Sequence, residues 1–212
     1  VFNTGAPGID NIVNFKLLSK DVLEEQLKWK FPIKCCLFTY HPVTLGKNDI
    51  PRDLKVILNV LIKTNINVLF TYANADNGGR FINQKIEEFC RLDPIKYKVV
   101  KSLGQLKYLS AMKHTDLLIG NTSSGIIEAA SFGKPVVNIG DRQKGRLKGN
   151  NVIDCNLDTL ESSINLAISG DFKEISQNTH NIYGVGIASD IILNELVEQE
   201  VFVTKKFIDS IP

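Results

Sequence analysis

The fold of this chain is decided by residues 117–128, LLIGNTSSGIIE. An apolar run ends at Gly120, and small hydroxyl residues lead directly into a segment with helical periodicity, 124–132. A buried strand followed at once by a helix is the unit from which parallel sheets are built. The stretch therefore predicts a strand, a tight turn and a helix.

The same unit recurs on both sides of this stretch. Six short apolar runs are predicted to be strands: 34–40, 66–72, 97–101, 116–119, 135–139 and 151–154. Amphipathic segments are predicted to be helices: 19–29, 51–62, 81–92, 104–113, 124–132, 157–168 and 186–200. Asn77-Gly78, a typical hairpin dipeptide, lies between a strand and a helix. The alternation predicts an α/β fold, a Rossmann-like doubly wound parallel sheet with helices on both faces.

Composition narrows the class of protein. The 25 basic and 23 acidic residues give a net charge of +2 and are spread along the chain, so neither nucleic acid nor an anionic membrane is an expected partner. No apolar run approaches the roughly 20 residues that span a bilayer, and we expect a cytoplasmic protein. Residues 1–8 are typical of a strand end that runs into a turn, so we expect the chain to be cut from a longer one.

The turn from Thr122 to Gly125 is the first candidate site. Ligands of doubly wound sheets bind beyond the carboxyl ends of the strands, which is where this turn lies. The first amides of a helix have no partner within the helix, Thr122, Ser123 and Ser124 add hydroxyl donors, and Gly125 leaves room for an anion. The turn therefore predicts a diphosphate site. The alternative is an ordinary helix N-cap, where Ser and Thr are favoured in any protein.

Glu128 is the second candidate, one turn into the same predicted helix. A capping box is excluded because Gly125, rather than Ser or Thr, stands three residues before it. Its carboxylate is able to accept two hydroxyl hydrogens from a ribose. The alternatives are a solvated residue or a partner for the helix dipole.

The loop 140–149 follows the next predicted strand on the same side of the sheet. Its cations would neutralise phosphate, and an arginine can bind phosphate through two hydrogen bonds. The alternative is a solvated charged loop. The four cations are Arg142, Lys144, Arg146 and Lys148.

His41 follows the first predicted strand, and Pro42 biases its backbone towards an extended form. It is a candidate to donate to a phosphate or to transfer a proton, although a lone histidine is often structural. Residues 74–79, NADNGG, are first of all typical of a turn. The sequence contains no Ser-His-Asp set, metal-ligand spacing, Walker loop or GxGxxG pattern, so no cofactor and no metal are expected.

Together these segments resemble a known family. In unbroken order they are His41-Pro42, Asn74-Ala75-Asp76, 120–128, 131–140 (SFGKPVVNIG) and 142–146 (RQKGR). From about Gly5 to about Glu200 the chain resembles the carboxyl-terminal half of hydrolysing UDP-N-acetylglucosamine 2-epimerases. The Arg-Gln-x-Gly-Arg loop resembles the hydrolysing branch of the family rather than the non-hydrolysing one.

The resemblance implies one lobe of the two-lobed architecture of B-type glycosyltransferases, with the active site between the lobes. UDP and a UDP-sugar are the implied ligands. Thr122 and Ser123 would hold the diphosphate, with Ser124 and Gly125 beside them, and Glu128 would hold the ribose. Asn74, Arg142 and the backbone near Leu103 would line the rest of the nucleotide pocket. His41 would be the catalytic histidine and would face the sugar and phosphates.

The implied reaction is elimination of UDP across C1 and C2 of UDP-N-acetylglucosamine or a related UDP-sugar. Water then adds to give the free 2-epimer, an N-acetylmannosamine-type sugar of the kind used in sialic acid biosynthesis. The family's acid and base carboxylates would lie in an amino-terminal lobe absent from this chain. The chain alone is therefore expected to be inactive, and the family resemblance also suggests self-association into a homo-oligomer.

The expected division is an interlobe connection and first helix at 1–30, a UDP-binding lobe at 31–182, and a helix crossing back towards the missing lobe at 183–212. Two residues depart from the family pattern: Thr122 replaces a frequent Ser, and Val185 replaces a frequent Asp. Two alternatives stay open at this point. They are the donor lobe of a B-type glycosyltransferase and a UDP-binding module without catalysis.

Overall fold

A single six-stranded sheet forms the centre of the molecule. The computed structural model describes residues 1–43 and 49–199. The strands are β1 Cys35–Thr39, β2 Asn67–Thr71, β3 Tyr97–Val100, β4 Leu117–Gly120, β5 Val136–Ile139 and β6 Val152–Cys155. Neighbouring strands are parallel in the order β3-β2-β1-β4-β5-β6. This order is that of a Rossmann-like doubly wound sheet and confirms the predicted fold class.

Helices cover both faces of this sheet. They are α1 Pro7–Asn14, α2 Lys20–Leu27, α3 Ile50–Lys63, α4 Gly79–Cys90, α5 Gly104–His114, α6 Ser123–Ile127, α7 Leu160–Ala167, α8 Gly170–Gln177 and α9 Ala188–Glu198. A 3-10 turn, Ala129–Phe132, follows α6. Within the described part of the chain, no helix is long and apolar enough to cross a membrane.

The core consists of two apolar layers, one on each face. Alternate residues of a strand point to opposite faces. Phe38 of β1 therefore packs with α3, α4 and α7, whereas Leu37 packs with α2 and α5. Strand β1 lies at the centre of the sheet and is buried along its whole length. Its carboxyl end therefore fixes the position of the site.

Three features of the fold differ from the sequence-based expectation. The expected strand end at residues 1–8 is wrong from Pro7 onward, because Pro7 occupies the first turn of α1, where its missing N–H is tolerated. Helix α8 was not predicted. The last helix begins at Ala188 rather than 186, where the Asp10 carboxylate caps it by accepting hydrogen bonds from the Ala188 and Ser189 amides at 3.0 and 2.7 Å. Its expected end, Glu200, lies outside the described residues.

Candidate functional site

The candidate site lies where β1 and β4 end side by side. From β1 the strand order runs outward to β2 and β3, and from β4 it runs to β5 and β6. The connections after the two central strands therefore diverge and leave a crevice at the carboxyl edge of the sheet. The loops at this edge contain His41, Asn74 and the turn 120–125.

Gly120 brings the end of β4 against β1. Its φ of +141° is accessible to glycine, and a Cβ atom at this position would lie 1.9 Å from the carbonyl oxygen of Thr39. The following residue, Asn121, is consequently placed in the interior, with none of its surface exposed.

Asn121 joins three loops of the site. Its Oδ1 accepts a hydrogen bond from the His41 amide at 2.8 Å, and its Nδ2 donates to the His41 carbonyl oxygen, also at 2.8 Å. Its own carbonyl oxygen accepts from Arg142 Nη1 at 3.0 Å and from Gln143 Nε2 at 2.9 Å. The loops after β1, β4 and β5 are thus held together by one buried side chain and its peptide group.

The His41 ring is oriented and kept neutral. Its Nδ1 accepts a hydrogen bond from the Asn74 amide at 3.0 Å, so the ring proton lies on Nε2. Burial lowers the pKa of His41, and the positive charge of Arg142 lowers it further, against a smaller opposing effect of Asp76. A neutral Nε2–H group is available as a hydrogen-bond donor.

The helix that follows β4, α6, has five residues and is shorter than predicted. The prediction of one helix over 124–132 is wrong in its length: α6 ends at Ile127, Glu128 is its C-cap, and the 3-10 turn follows. Thr122 is the N-cap and accepts from the Ser124 amide at 3.4 Å. A five-residue helix has a small dipole, so the groups that the turn offers to an anion are its amides and hydroxyls rather than the dipole.

Gly125 packs closely against β5. A Cβ atom there would come within 3.1 Å of a methyl group of Val136 on β5, because the turn lies against the sheet. The sequence-based reason for this glycine, room for an anion, is therefore incomplete. The side-chain position faces the protein interior.

Glu128 is a carboxylate in a largely buried position, and burial raises its pKa. Within residues 1–43 and 49–199 it has neither an ion pair nor a hydrogen-bond partner for its side chain. A Cβ atom on Gly8 would lie 3.5 Å from Glu128 Oε1, so the amino end of α1 stands next to this carboxylate. The Glu128 oxygens are therefore able to accept hydrogen bonds from a ligand at the site.

These groups meet in one cleft of about 400 Å³. Five of the nine predicted site residues line it: His41, Leu103, Thr122, Ser124 and Glu128. Asn74 and Arg142 lie beside it through their contacts with His41 and Asn121, Gly125 is buried behind it, and Ser123 is in the turn but not in the lining. Larger clefts of about 670 and 450 Å³, on the side of the molecule near Trp29, contain none of the nine.

Sequence reasoning missed several lining residues: Thr39, Thr71, Tyr72, Lys101, Gln105 and Tyr108. For Thr39 and Thr71 a signal was present, since each is the last residue of a strand. Tyr108 lies one helical turn after Gly104, on the face of α5 towards the cleft, and no motif marks it.

The cationic loop contributes less than expected. Lys148 forms an ion pair with Asp154 at 2.7 Å, and Lys144 and Arg146 are exposed and lie outside the cleft lining. The exposure of Lys144 and Arg146 favours the alternative of a solvated charged loop for these two residues. Arg142 is the cation of this loop that contacts the site.

Strand order and the position of the cleft define the chain as a Rossmann-like α/β lobe with its candidate site at the switch point. The sequence profile of the UDP-N-acetylglucosamine 2-epimerase family matches residues 1–197. The chain therefore belongs to this family.

The names of similar proteins agree with this family membership. The chain is 40% identical over 175 residues to GDP/UDP-N,N'-diacetylbacillosamine 2-epimerase (hydrolyzing) of Campylobacter jejuni, which covers 82% of this chain and 46% of the relative. It is 32% identical to UDP-N,N'-diacetylbacillosamine 2-epimerase (hydrolyzing) of Legionella pneumophila, over 90% of this chain and 49% of the relative. The chain thus spans about half the length of the curated relatives it matches.

Solved structures share the fold. UDP-GlcNAc 2-epimerase from Neisseria meningitidis, bound to UDP-GlcNAc, superposes with a TM-score of 0.73 at 20% identity, over 92% of this chain and 55% of that one. UDP-GlcNAc 2-epimerase from Methanocaldococcus jannaschii, in complex with UDP-GlcNAc and UDP, gives 0.69 at 15% identity, over 93% and 55%. The chain matches 55% of each of these two solved chains, which is the share expected for one lobe of a two-lobed architecture.

Proposed function

We propose that this chain is the nucleotide-binding half of a hydrolysing 2-epimerase that acts on a UDP-N-acetylated sugar. The observation that carries the proposal is the convergence, in one cleft at the switch point, of the Thr122 and Ser124 hydroxyls, the neutral His41 ring and the largely buried Glu128 carboxylate. Membership of the UDP-N-acetylglucosamine 2-epimerase family supports it.

Each group has a distinct task in this proposal. The hydroxyls and first amides of the turn from Thr122 to Gly125 donate to the diphosphate, which offers only acceptors at neutral pH. Glu128 accepts the two ribose hydroxyl hydrogens. Leu103 and Asn74 border the base and sugar through their backbones, Arg142 adds positive charge, and His41 donates from Nε2 near the sugar phosphate.

The full-length protein would break the C1–O bond to UDP and remove the proton from C2, and water would then add to give the free sugar inverted at C2. The acid and base would come from a second lobe outside this chain. In this proposal residues 1–30 connect to that lobe, residues 31–182 bind UDP, and the final segment 183–212, of which 200–212 lie outside the described residues, reaches towards it. Exposed apolar side chains on α9 and α1 support such a contact: Leu193, Leu196, Val197 and Val13.

The substrate is proposed from the relatives. Two of them are named for N,N'-diacetylbacillosamine, and solved structures of the same fold hold UDP-GlcNAc. The sugar is therefore proposed to be a UDP-linked 2-acetamido sugar. UDP-N,N'-diacetylbacillosamine is the first substrate to test, and UDP-N-acetylglucosamine, which would give N-acetylmannosamine, is the second.

Thermal unfolding with nucleotides tests the binding half of the proposal. A ligand that binds only the folded state raises the melting temperature, by the equivalent of about 2.7 kcal/mol at a concentration of about 100 times Kd. We expect UDP at millimolar concentration to raise the melting temperature of this chain and ADP to leave it unchanged. A cooperative unfolding transition that UDP does not move would refute the proposed site.

Glu128→Gln isolates the ribose contact. Hydrogen bonds to a charged group contribute about 1.5–3 kcal/mol, so the Kd for UDP should rise by roughly 10- to 100-fold. Because burial raises the pKa of Glu128, its charged form is unfavourable in the folded state, and the unliganded variant should unfold at the same or a higher temperature at pH 7. The matched control is Glu25→Gln on the exposed face of α2, which should bind UDP normally. A large loss of stability in Glu128→Gln would favour a structural role instead.

A further inference from the structure

A chain of hydroxyl groups crosses the floor of the cleft. The Tyr108 hydroxyl lies 2.6 Å from Ser124 Oγ, and Ser124 Oγ lies 3.3 Å from Thr122 Oγ1. Tyr108 belongs to α5, the other two belong to the start of α6, and all three line the cleft. Thr39 and Thr71, at the ends of β1 and β2, also line the cleft and share a hydrogen bond of 2.6 Å.

We infer that Tyr108 is a positioning residue that directs this chain, so that the Thr122 and Ser124 hydroxyls present their hydrogens to an anionic group of the ligand. The inference rests on the proposed function, since it assigns a direction to donors that the proposal places at the diphosphate. No sequence motif points to Tyr108.

The direction follows from donor and acceptor strengths. A phenol is a stronger acid than an aliphatic alcohol, so Tyr108 donates and Ser124 Oγ accepts. The hydrogen of Ser124 is then free to turn towards Thr122 Oγ1 or the cleft. Thr122 Oγ1 already accepts from the Ser124 amide, which leaves the Thr122 hydrogen for the cleft as well. Without Tyr108, Ser124 loses its donor and both hydroxyls rotate more freely.

Tyr108 keeps its proton across the neutral range. Burial raises the pKa of its hydroxyl, against the lowering effect of the hydrogen bond with Ser124 and of the nearby Thr39 and Thr122 hydroxyls, and the Glu128 charge raises it further. The residue therefore stays a neutral donor, and its effect on the neighbouring hydroxyls does not change between about pH 6 and pH 9.

The test is the Kd for UDP, measured by isothermal titration calorimetry in a double-mutant cycle of Tyr108→Phe and Ser124→Ala. Tyr108→Phe should raise the Kd about 5- to 10-fold, the range expected for one hydrogen bond, and leave the unliganded melting temperature close to that of the parent. In the Ser124→Ala background the same change should have almost no effect, because the group that Tyr108 orients is gone. Tyr97→Phe removes a hydroxyl from the apolar core near β3 and serves as the control with unchanged affinity.

The outcomes separate the two proposals. A parent chain that binds UDP, with Tyr108→Phe of equal affinity, overturns the positioning role alone. A loss of affinity that is as large in the Ser124→Ala background as in the parent background also overturns it, since it would indicate a structural role of the ring. A folded parent chain that does not bind UDP overturns the proposed function, and this inference with it.

Discussion

At the scale of single residues, His41 links the electrostatics of the site to pH. Its pKa is lowered mainly by burial and secondly by Arg142. The folded state therefore holds fewer protons than the unfolded chain when the pH falls below about 6.5, the ordinary histidine value. The contribution of His41 to stability is thus fully present at neutral pH and decreases as the pH falls from about 6.5 through the lowered pKa.

We expect Arg142→Gln to raise the pKa of His41 towards its ordinary value without reaching it, because burial remains. The measurement is an NMR titration of the ring carbon protons, with the signal assigned by its loss in His41→Gln. Lys144→Gln is the matched control, since Lys144 is exposed and outside the cleft lining, and it should leave the titration in place. An unmoved titration in Arg142→Gln would mean that the guanidinium does not act on the ring.

The sequence identified residues whose type alone indicates chemistry, such as Glu128 and the hydroxyls of the turn. It did not identify Asn121 or Tyr108 as important, because their roles depend on partners far away along the chain. Asn121 bonds to a residue 80 positions away, and Tyr108 to one 16 positions away. No local pattern encodes such pairs.

At the scale of elements, Asn121 ties the end of β4 to the loop after β1. Replacing it by Ala leaves the amide and carbonyl of His41 without their partners, and each such group costs about 1–3 kcal/mol when it is shielded from water. We expect Asn121→Ala to lower the free energy of unfolding by about 2–4 kcal/mol in urea.

The matched control is Asn151→Ala. Asn151 is equally buried, at 1% exposure, but its side chain makes one hydrogen bond, from Nδ2 to the Lys134 carbonyl oxygen at 2.9 Å. The loss at Asn121 should exceed that at Asn151 by about 1 kcal/mol or more. Equal losses would contradict the view that Asn121 joins two elements.

Elements were predictable where periodicity is strong. All six strands were found within one or two residues of their ends, because apolar runs and turn residues mark them clearly. The break after Ile127 was not, since residues 126–132 keep a helical apolar pattern. Gly125 packs closely against β5 just before this break, and Gly133, whose φ is +60°, ends the 3-10 turn that follows. Tertiary packing overrides local preference at this point.

At the scale of the whole molecule, the doubly wound parallel sheet followed from the regular alternation of strands and helices, whereas the pairing of the chain's two ends did not. Asp10 caps α9 from 178 residues away, and the Ala6 amide donates to the Tyr183 carbonyl oxygen at 2.8 Å. These contacts place the first helix next to both Glu128 and α9. The surface where a second lobe is proposed to join is therefore built from both ends of the described chain.

This arrangement leads to a prediction about activity. The elimination requires a positioned acid and base and the exclusion of water, and the cleft of this chain is open to solvent. We expect the chain to bind UDP but to release none from UDP-GlcNAc or UDP-N,N'-diacetylbacillosamine, measured by liquid chromatography of the nucleotides. A longer version of the protein that adds a second lobe should release UDP from one of these sugars, and Glu128→Gln within that longer version should need more substrate to reach the same rate. Sustained release of UDP by the present chain would place the acid and base among its own residues. It would contradict the proposal that these two groups come from the second lobe.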